Sequence, residues 1–180
     1  MKSITSVILF FAAAAATLAA DQSPYVGEEA RPIKSLSAAE IESLINGDGM
    51  GFAKLAELNS YPGPRHVLEL ADELDLTPSQ LADTEALFKE MRTNARALGD
   101  ELVAAERALD HNFESEVIDA KSLERELLNI GELRARIRYV HLEAHLRQKR
   151  ILTDSQTAEY DRLRGYGDSD DAHSEHSQHH

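Results

Sequence analysis

The chain is predicted to be all-α: a long antiparallel helical hairpin with shorter flanking helices. Three observations predict this. Apolar residues recur at steps of three and four through two long stretches, from Leu81 to Leu109 and from Leu123 to Ala144. No segment alternates apolar and polar residues as a half-buried strand does. Helix-start signatures recur along the chain, two of them as near-identical phrases, LTPSQ at 76–80 and LTDSQ at 152–156.

The first twenty residues stand apart. MKSITSVILFFAAAAATLAA has one early cation, Lys2, then an apolar run through Phe11 into alanines, and small residues before Asp21. Residues 1–20 read as a secretory signal peptide removed near Ala19 or Ala20, not as a membrane-spanning helix. The expected location is therefore periplasmic. With no cysteine in 180 residues, an exported domain must hold itself together by packing, without disulfides or thiolate metal sites. The formal net charge of −13 argues against nucleic acid as a partner, because phosphate binding needs a basic footprint.

Residues 21–60 read as a flexible N-terminal arm with short helices. Pro24, Gly27 and Pro32 interrupt its beginning, and SAAE at 37–40 is a capping box that opens a helix ending near Asn46 and Gly47. GDGMG at 47–51 is a breaker, FAKLAEL at 52–58 has room for a turn or two of helix, and YPGP at 61–64 is a firm stop. Residues 61–165 form the helical-hairpin domain. Val67, Leu70, Ala71 and Leu74 predict a helix over 65–74 with one buried face.

Thr77 is then an N-cap, Pro78 suits the first helical position, and Gln80 stands where a capping-box side chain reaches back. The helix they open has the seam Leu81, Thr84, Phe88, Met91, Ala95, Leu98, Leu102, Ala105 and Leu109, and is expected to end near Asp110. Gly99 within it reads as a weak point of about 1 kcal/mol relative to alanine. HNFESEVID at 111–119 breaks the pattern. A second long helix is expected from about Ser122 to Arg150, with the stripe Leu123, Leu127, Ile130, Leu133, Ile137, Val140 and Ala144. Leu128, Ala135, Tyr139, Leu142 and Leu146 make a second stripe on nearly the opposite side, and a helix apolar on two sides needs a second neighbour. Either the short helices cover it, or it belongs to a dimer or client-binding surface. Thr153, Asp154 and Gln156 start a last short helix that runs through Tyr160 and Leu163 to Gly165. Residues 166–180 read as a disordered acidic, His-rich tail.

One such phrase is a common N-cap signature. Two of them, carried by Leu76, Thr77 and Gln80 and by Leu152, Thr153 and Gln156 in an exported, cysteine-free, helical chain, are more specific. Over residues 60–164 the sequence resembles the Spy/CpxP family of LTxxQ-motif periplasmic proteins, which is related to the ZraP and CnrX type heavy-metal-response proteins. The resemblance implies a bent helical hairpin assembled as a cradle-shaped homodimer. It also implies an envelope-stress role: ATP-independent chaperoning of unfolded envelope proteins, modulation of a membrane sensor protein, or metal sensing.

The histidines and cations are the candidate functional residues. His173, His176, His179 and His180 are interleaved with Asp170, Asp171 and Glu175, a composition suited to Zn, Ni or Cu(II), or else a merely solubilising acidic tail. His141 and His145, four apart on the second long helix, have a chelating spacing, though a pair of core histidines would look the same. If metal binds there, His66, perhaps with Glu69, is the candidate for the remaining ligands. CnrX-like sensors similarly combine an early helix with a later i, i+4 pair, but they carry a methionine in that pair, which this chain lacks. Arg134, Arg136, Arg138, Arg147, Lys149 and Arg150 crowd the later half of the same helix. Beside the second stripe, Arg134 and Arg138 suit loose capture of acidic or amphipathic unfolded segments. Alternatively these cations pair with carboxylates of the first long helix. Catalysis has no support: the chain shows no nucleophile elbow, phosphate-cradling loop or metallohydrolase constellation.

Overall fold

The computed structural model describes residues 23–166. After a 3₁₀ turn at Glu28–Ala30 come α1 (Ala38–Asn46), α2 (Lys54–Glu57), α3 (Pro64–Glu69), α4 (Pro78–Glu114), α5 (Ala120–Ile151) and α6 (Asp154–Leu163). The all-helical architecture and the hairpin are as the periodicity predicts. Side-chain bonds from Asn112 to Glu126, Glu106 to Arg134, Glu90 to Arg147 and Thr84 to Gln148 climb one helix as they descend the other, which fixes the antiparallel register. At 37 and 32 residues, α4 and α5 are about 55 and 48 Å long.

Two boundaries differ from the sequence reading. The helix α4 continues through HNFE to Glu114, so the connection is only residues 115–119. The start of α5 is two residues earlier than Ser122, because Asp119 caps it and Ser122 completes the box with a 3.0 Å bond from the Asp119 amide. The α3 helix is shorter than expected, and the chain turns after Glu69, yet Val67 and Leu74 are both buried.

The largest correction concerns the segment read as a flexible arm. Ile33, Leu36 and Leu44 are buried with Leu98, Leu102, Ile130, Leu133 and Ile137 in the main core. Lys34 pairs with Asp110, and Ser35 donates to Glu106. The segment therefore packs on the hairpin as part of it. Its anchor is α1, which lies against α4. Arg92 and Arg96 on α4 donate to the carbonyls of Asn46 and Ile45, satisfying two of the orphan acceptors at the end of α1. Gly99 is what allows this approach. A β-carbon there would stand 2.1 Å from the Leu44 carbonyl oxygen, so the glycine is a packing requirement and not a weak point. Residues off the expected seam are also buried: Val103 with Ile33, Leu36 and Leu44, Leu87 with Met91 and with Ala144 of α5, and Glu106 between Ser35 and Arg134, while Leu81 is exposed.

The two LTxxQ phrases meet each other. Each threonine accepts the backbone N–H of its own glutamine, and each glutamine Oε1 accepts the backbone N–H of its own threonine. Gln80 Nε2 also donates to Gln156 Oε1 at 2.7 Å and to the Ile151 carbonyl at 2.9 Å. Gln156 Nε2 donates to Gln80 Oε1 and to the Leu74 carbonyl, both at 3.1 Å. Two helix starts are thereby tied to each other and to the ends of the preceding segments. Leu152 and Tyr160 are buried beside this knot with Val67 and Leu74, and Leu76 packs against them.

Candidate functional site

Two places on the molecule carry the candidate residues: a cleft beside α5, and the outer face of α5. The cleft, about 650 Å³, lies between the 47–51 loop, α3, the middle of α4 and the second half of α5. It brings together three of the histidines singled out in the sequence, His66, His141 and His145.

His145 is 8 % exposed. Its Nδ1 stands 2.7 Å from the Tyr61 carbonyl oxygen, which only accepts, so Nδ1 carries the proton and Nε2 carries the lone pair. Burial lowers its pKa, while the Tyr61 bond and the Glu57 carboxylate, 3.8 Å away, pull it partly back. A β-carbon at residue 63 would lie 2.9 Å from Cε1 and 3.0 Å from Nε2 of this ring, which is the reason a glycine stands in YPGP. His141, 3 % exposed, stacks on Phe52 with ring centroids 6.0 Å apart. Its Nε2 is buried with no hydrogen-bond partner. Burial first, and the neighbouring His145 second, push its pKa down to about 4, so it is neutral at ordinary pH.

His66 lines the same cleft, but its Nδ1 is bonded to Glu69 at 2.8 Å. Glu69 thus orients His66 and does not line the cleft. Among the described residues, no group of three or more histidines and carboxylates is placed to hold a metal ion. His173, His176, His179 and His180 lie outside the described residues.

The sequence reading missed the carboxylate at the centre of this wall. Glu57 Oε1 accepts from the Tyr160 hydroxyl at 2.5 Å and the Tyr166 hydroxyl at 3.1 Å, with Arg164 Nε 3.4 Å away. Burial, and then the Glu57 carboxylate, raise the Tyr160 pKa strongly. The partners of Glu57 come from α6 and the residues after it, so only the tertiary fold assembles this cluster.

The outer face of α5 is the second place. Leu128 and Tyr139 are each 68 % exposed and Leu146 48 %, Ala135 is exposed, and Leu142 is half-buried. The short helices do not cover this stripe, because α1 packs on α4 instead. Leu127, expected in the inner stripe, is also exposed. From Leu128 to Leu146 the stripe runs about 27 Å along the helix.

The cations beside it divide. Arg134, expected to line the capturing surface, is held at 2.7 Å by the buried Glu106. Arg147 makes a two-bond pair with Glu90, and Lys149 donates to the Ser60 carbonyl while lying over the Tyr61 ring. Arg138 makes no ion pair within the described residues and stands four residues before Leu142. It is therefore a cation available beside the stripe.

Compared with family models, curated proteins and solved structures, the chain shows no significant match in any of the three. Among the described residues, no helix is long and apolar enough to cross a membrane.

Proposed function

We propose that the protein is an exported, ATP-independent holding chaperone that keeps unfolded envelope polypeptides from aggregating on the outer face of α5. The observation that carries this reading is the uncovered line of Leu128, Tyr139 and Leu146 on a helix whose other side is buried. Contiguous exposed apolar surface on an otherwise charged protein marks a binding surface. Arg138 adds a cation at its edge, on a protein whose formal net charge is −13. The resemblance of the paired LTxxQ phrases to the Spy/CpxP family points the same way, and it also implies a cradle-shaped homodimer.

The test is suppression of aggregation of a reduced, denatured model client by the chain from Asp21. Suppression at near-stoichiometric ratios, lost in the triple variant Leu128→Ser, Tyr139→Ser, Leu146→Ser, supports the proposal. These residues are exposed, so the variant keeps its fold. Absence of suppression at any ratio, or full suppression by the variant, overturns it.

A second reading is favoured by the two imidazoles of the cleft. The orphan Nε2 of His141 and the carbonyl-oriented His145 fit a metal-responsive protein for Zn, Ni or Cu(II) that modulates a membrane sensor protein. Calorimetric titration of the same chain with each ion tests it, and the absence of micromolar or tighter binding removes it.

A further inference from the structure

The cleft beside α5 has the dimensions and the wall of a small-molecule site. Its volume of about 650 Å³ falls within the range of about 300–1,000 Å³ in which proteins bury organic ligands. Part of its wall is apolar, from Pro64 of α3, Phe88 and Met91 of α4, and Tyr166. Phe88 supplies a flat ring, and the unbranched thioether of Met91 adapts to what rests against it.

Charge decides the sign of the occupant. Of the four cations in the wall, two are already matched: Arg65 by Glu69 at 3.0 Å and Arg164 by Glu57 at 3.4 Å. Lys54 makes no ion pair or hydrogen bond among the described residues. Arg92 gives its Nε to the Asn46 carbonyl, and no carboxylate pairs with it among the described residues. Within the described wall, Asp48 is the acidic side chain left to oppose these two. A surplus of positive charge in a concave wall, on a protein of formal net charge −13, points to an anion.

The imidazoles decide what else the anion carries. The Tyr61 bond holds the proton of the neutral His145 ring on Nδ1, so its Nε2 can only accept. No described residue donates to that Nε2. His141, 3 % exposed and in the same wall, brings a second ring nitrogen without a partner. Polar atoms so placed are ordinarily met by a hydrogen-bonding group.

We propose that this cleft binds a small organic acid, a carboxylate on an aromatic or other apolar body that also bears a hydroxyl. The carboxylate lies at Lys54 and Arg92, the body rests on Phe88 and Met91, and the hydroxyl donates to His145 Nε2. The site is independent of client holding on the outer face of α5. It shares its imidazoles with the metal reading, so its test is run in metal-free buffer.

The experiment is calorimetric titration of the chain from Asp21 with 4-hydroxycinnamate at neutral pH, where the carboxyl is ionised and the phenol keeps its proton. One saturable site per chain is expected. The methyl ester, which lacks the charge, should bind about tenfold more weakly, and cinnamate, which lacks the hydroxyl, about three- to tenfold more weakly. Lys54→Glu should weaken 4-hydroxycinnamate about fivefold or more while leaving the urea midpoint unchanged, because Lys54 is exposed and bonded to nothing described. Imidazole NMR signals of His141 and His145 should shift during the titration, a readout that alters no residue. No saturable binding at millimolar 4-hydroxycinnamate overturns the proposal, and does so whether or not Zn²⁺ binds in a separate titration. Equal affinity for the ester removes the anion site. Equal affinity for cinnamate, or imidazole signals that stay put, removes the hydroxyl from His145. Full displacement by equimolar inorganic phosphate reduces the cleft to a general anion patch and overturns the proposal as well.

Discussion

Replacing Gly99 by alanine and replacing Gly131 by alanine are the same chemical change in the middle of two long helices, and the structure gives them opposite signs. At Gly131 a β-carbon meets nothing within 4 Å. The variant should therefore gain the ordinary helix-propensity difference, about 1 kcal/mol. At Gly99 the β-carbon would lie 2.1 Å from the Leu44 carbonyl oxygen and 2.7 Å from its carbon, where ordinary contact begins at 3.4 Å. Both obstacles are backbone, so α1 must retreat by more than an ångström. Retreat loosens the burial of Leu44, worth about 1.5–3 kcal/mol for a full leucine side chain, and lengthens the Arg92 and Arg96 bonds to the end of α1. Overpacking of this kind costs about 1–3 kcal/mol. After the propensity gain of about 1 kcal/mol, Gly99→Ala should lose up to about 2 kcal/mol, where Gly131→Ala gains about 1 kcal/mol. Urea unfolding followed by far-ultraviolet circular dichroism measures both variants, with an unchanged slope as the check on two-state behaviour. A Gly99→Ala protein as stable as Gly131→Ala would refute the claim that α1 is docked through that glycine.

Three further outcomes follow from the same structure. Gln156→Leu removes the amide that bridges Leu74 and Gln80 and leaves those partners short of a bond, so stability should fall by about 2–4 kcal/mol in the same urea assay. His141, with a folded pKa of about 4 against an ordinary value of 6.5, binds its proton more weakly folded than unfolded. Stability should therefore be full above pH 6.5 and fall as pH drops toward 4, by up to about 3 kcal/mol. The lowered pKa of His145 adds a loss of the same sign, and His141→Leu should flatten the stability–pH curve in this window. Changing Arg138 to Glu should slow capture of an acidic unfolded client and reduce its salt dependence in stopped-flow binding while leaving the urea midpoint unchanged.

What the sequence made legible was local. The caps at Ser37, Thr77 and Thr153, the proline that begins α4, and the inner stripes of the hairpin apart from Leu81 and Leu127 depend on neighbours within a few positions, and they appear as read. The arm was misread because its prolines and glycines look like a linker, while Ile33 and Leu36 become core only once α4 and α5 stand beside them. Gly99 looked like a defect because the partner that needs it, the Leu44 carbonyl, is distant in sequence. The cleft was half legible. His66, His141 and His145 drew notice by residue type, but Glu57 looked like one more acidic residue until Tyr160, Tyr166 and Arg164 converged on it. The LTxxQ phrases were read as two separate caps, and the amide pair between Gln80 and Gln156 shows that they also clamp each other.

The central claim is that α5 presents its outer stripe to unfolded chains. A photoreactive phenylalanine analogue placed at Tyr139, 68 % exposed on that stripe, tests it directly against the same group at the exposed Arg107 on α4. Irradiation with a denatured client should give a crosslinked adduct from position 139 and little from 107. Equal yields from both positions, or an adduct from 107 alone, would contradict the account.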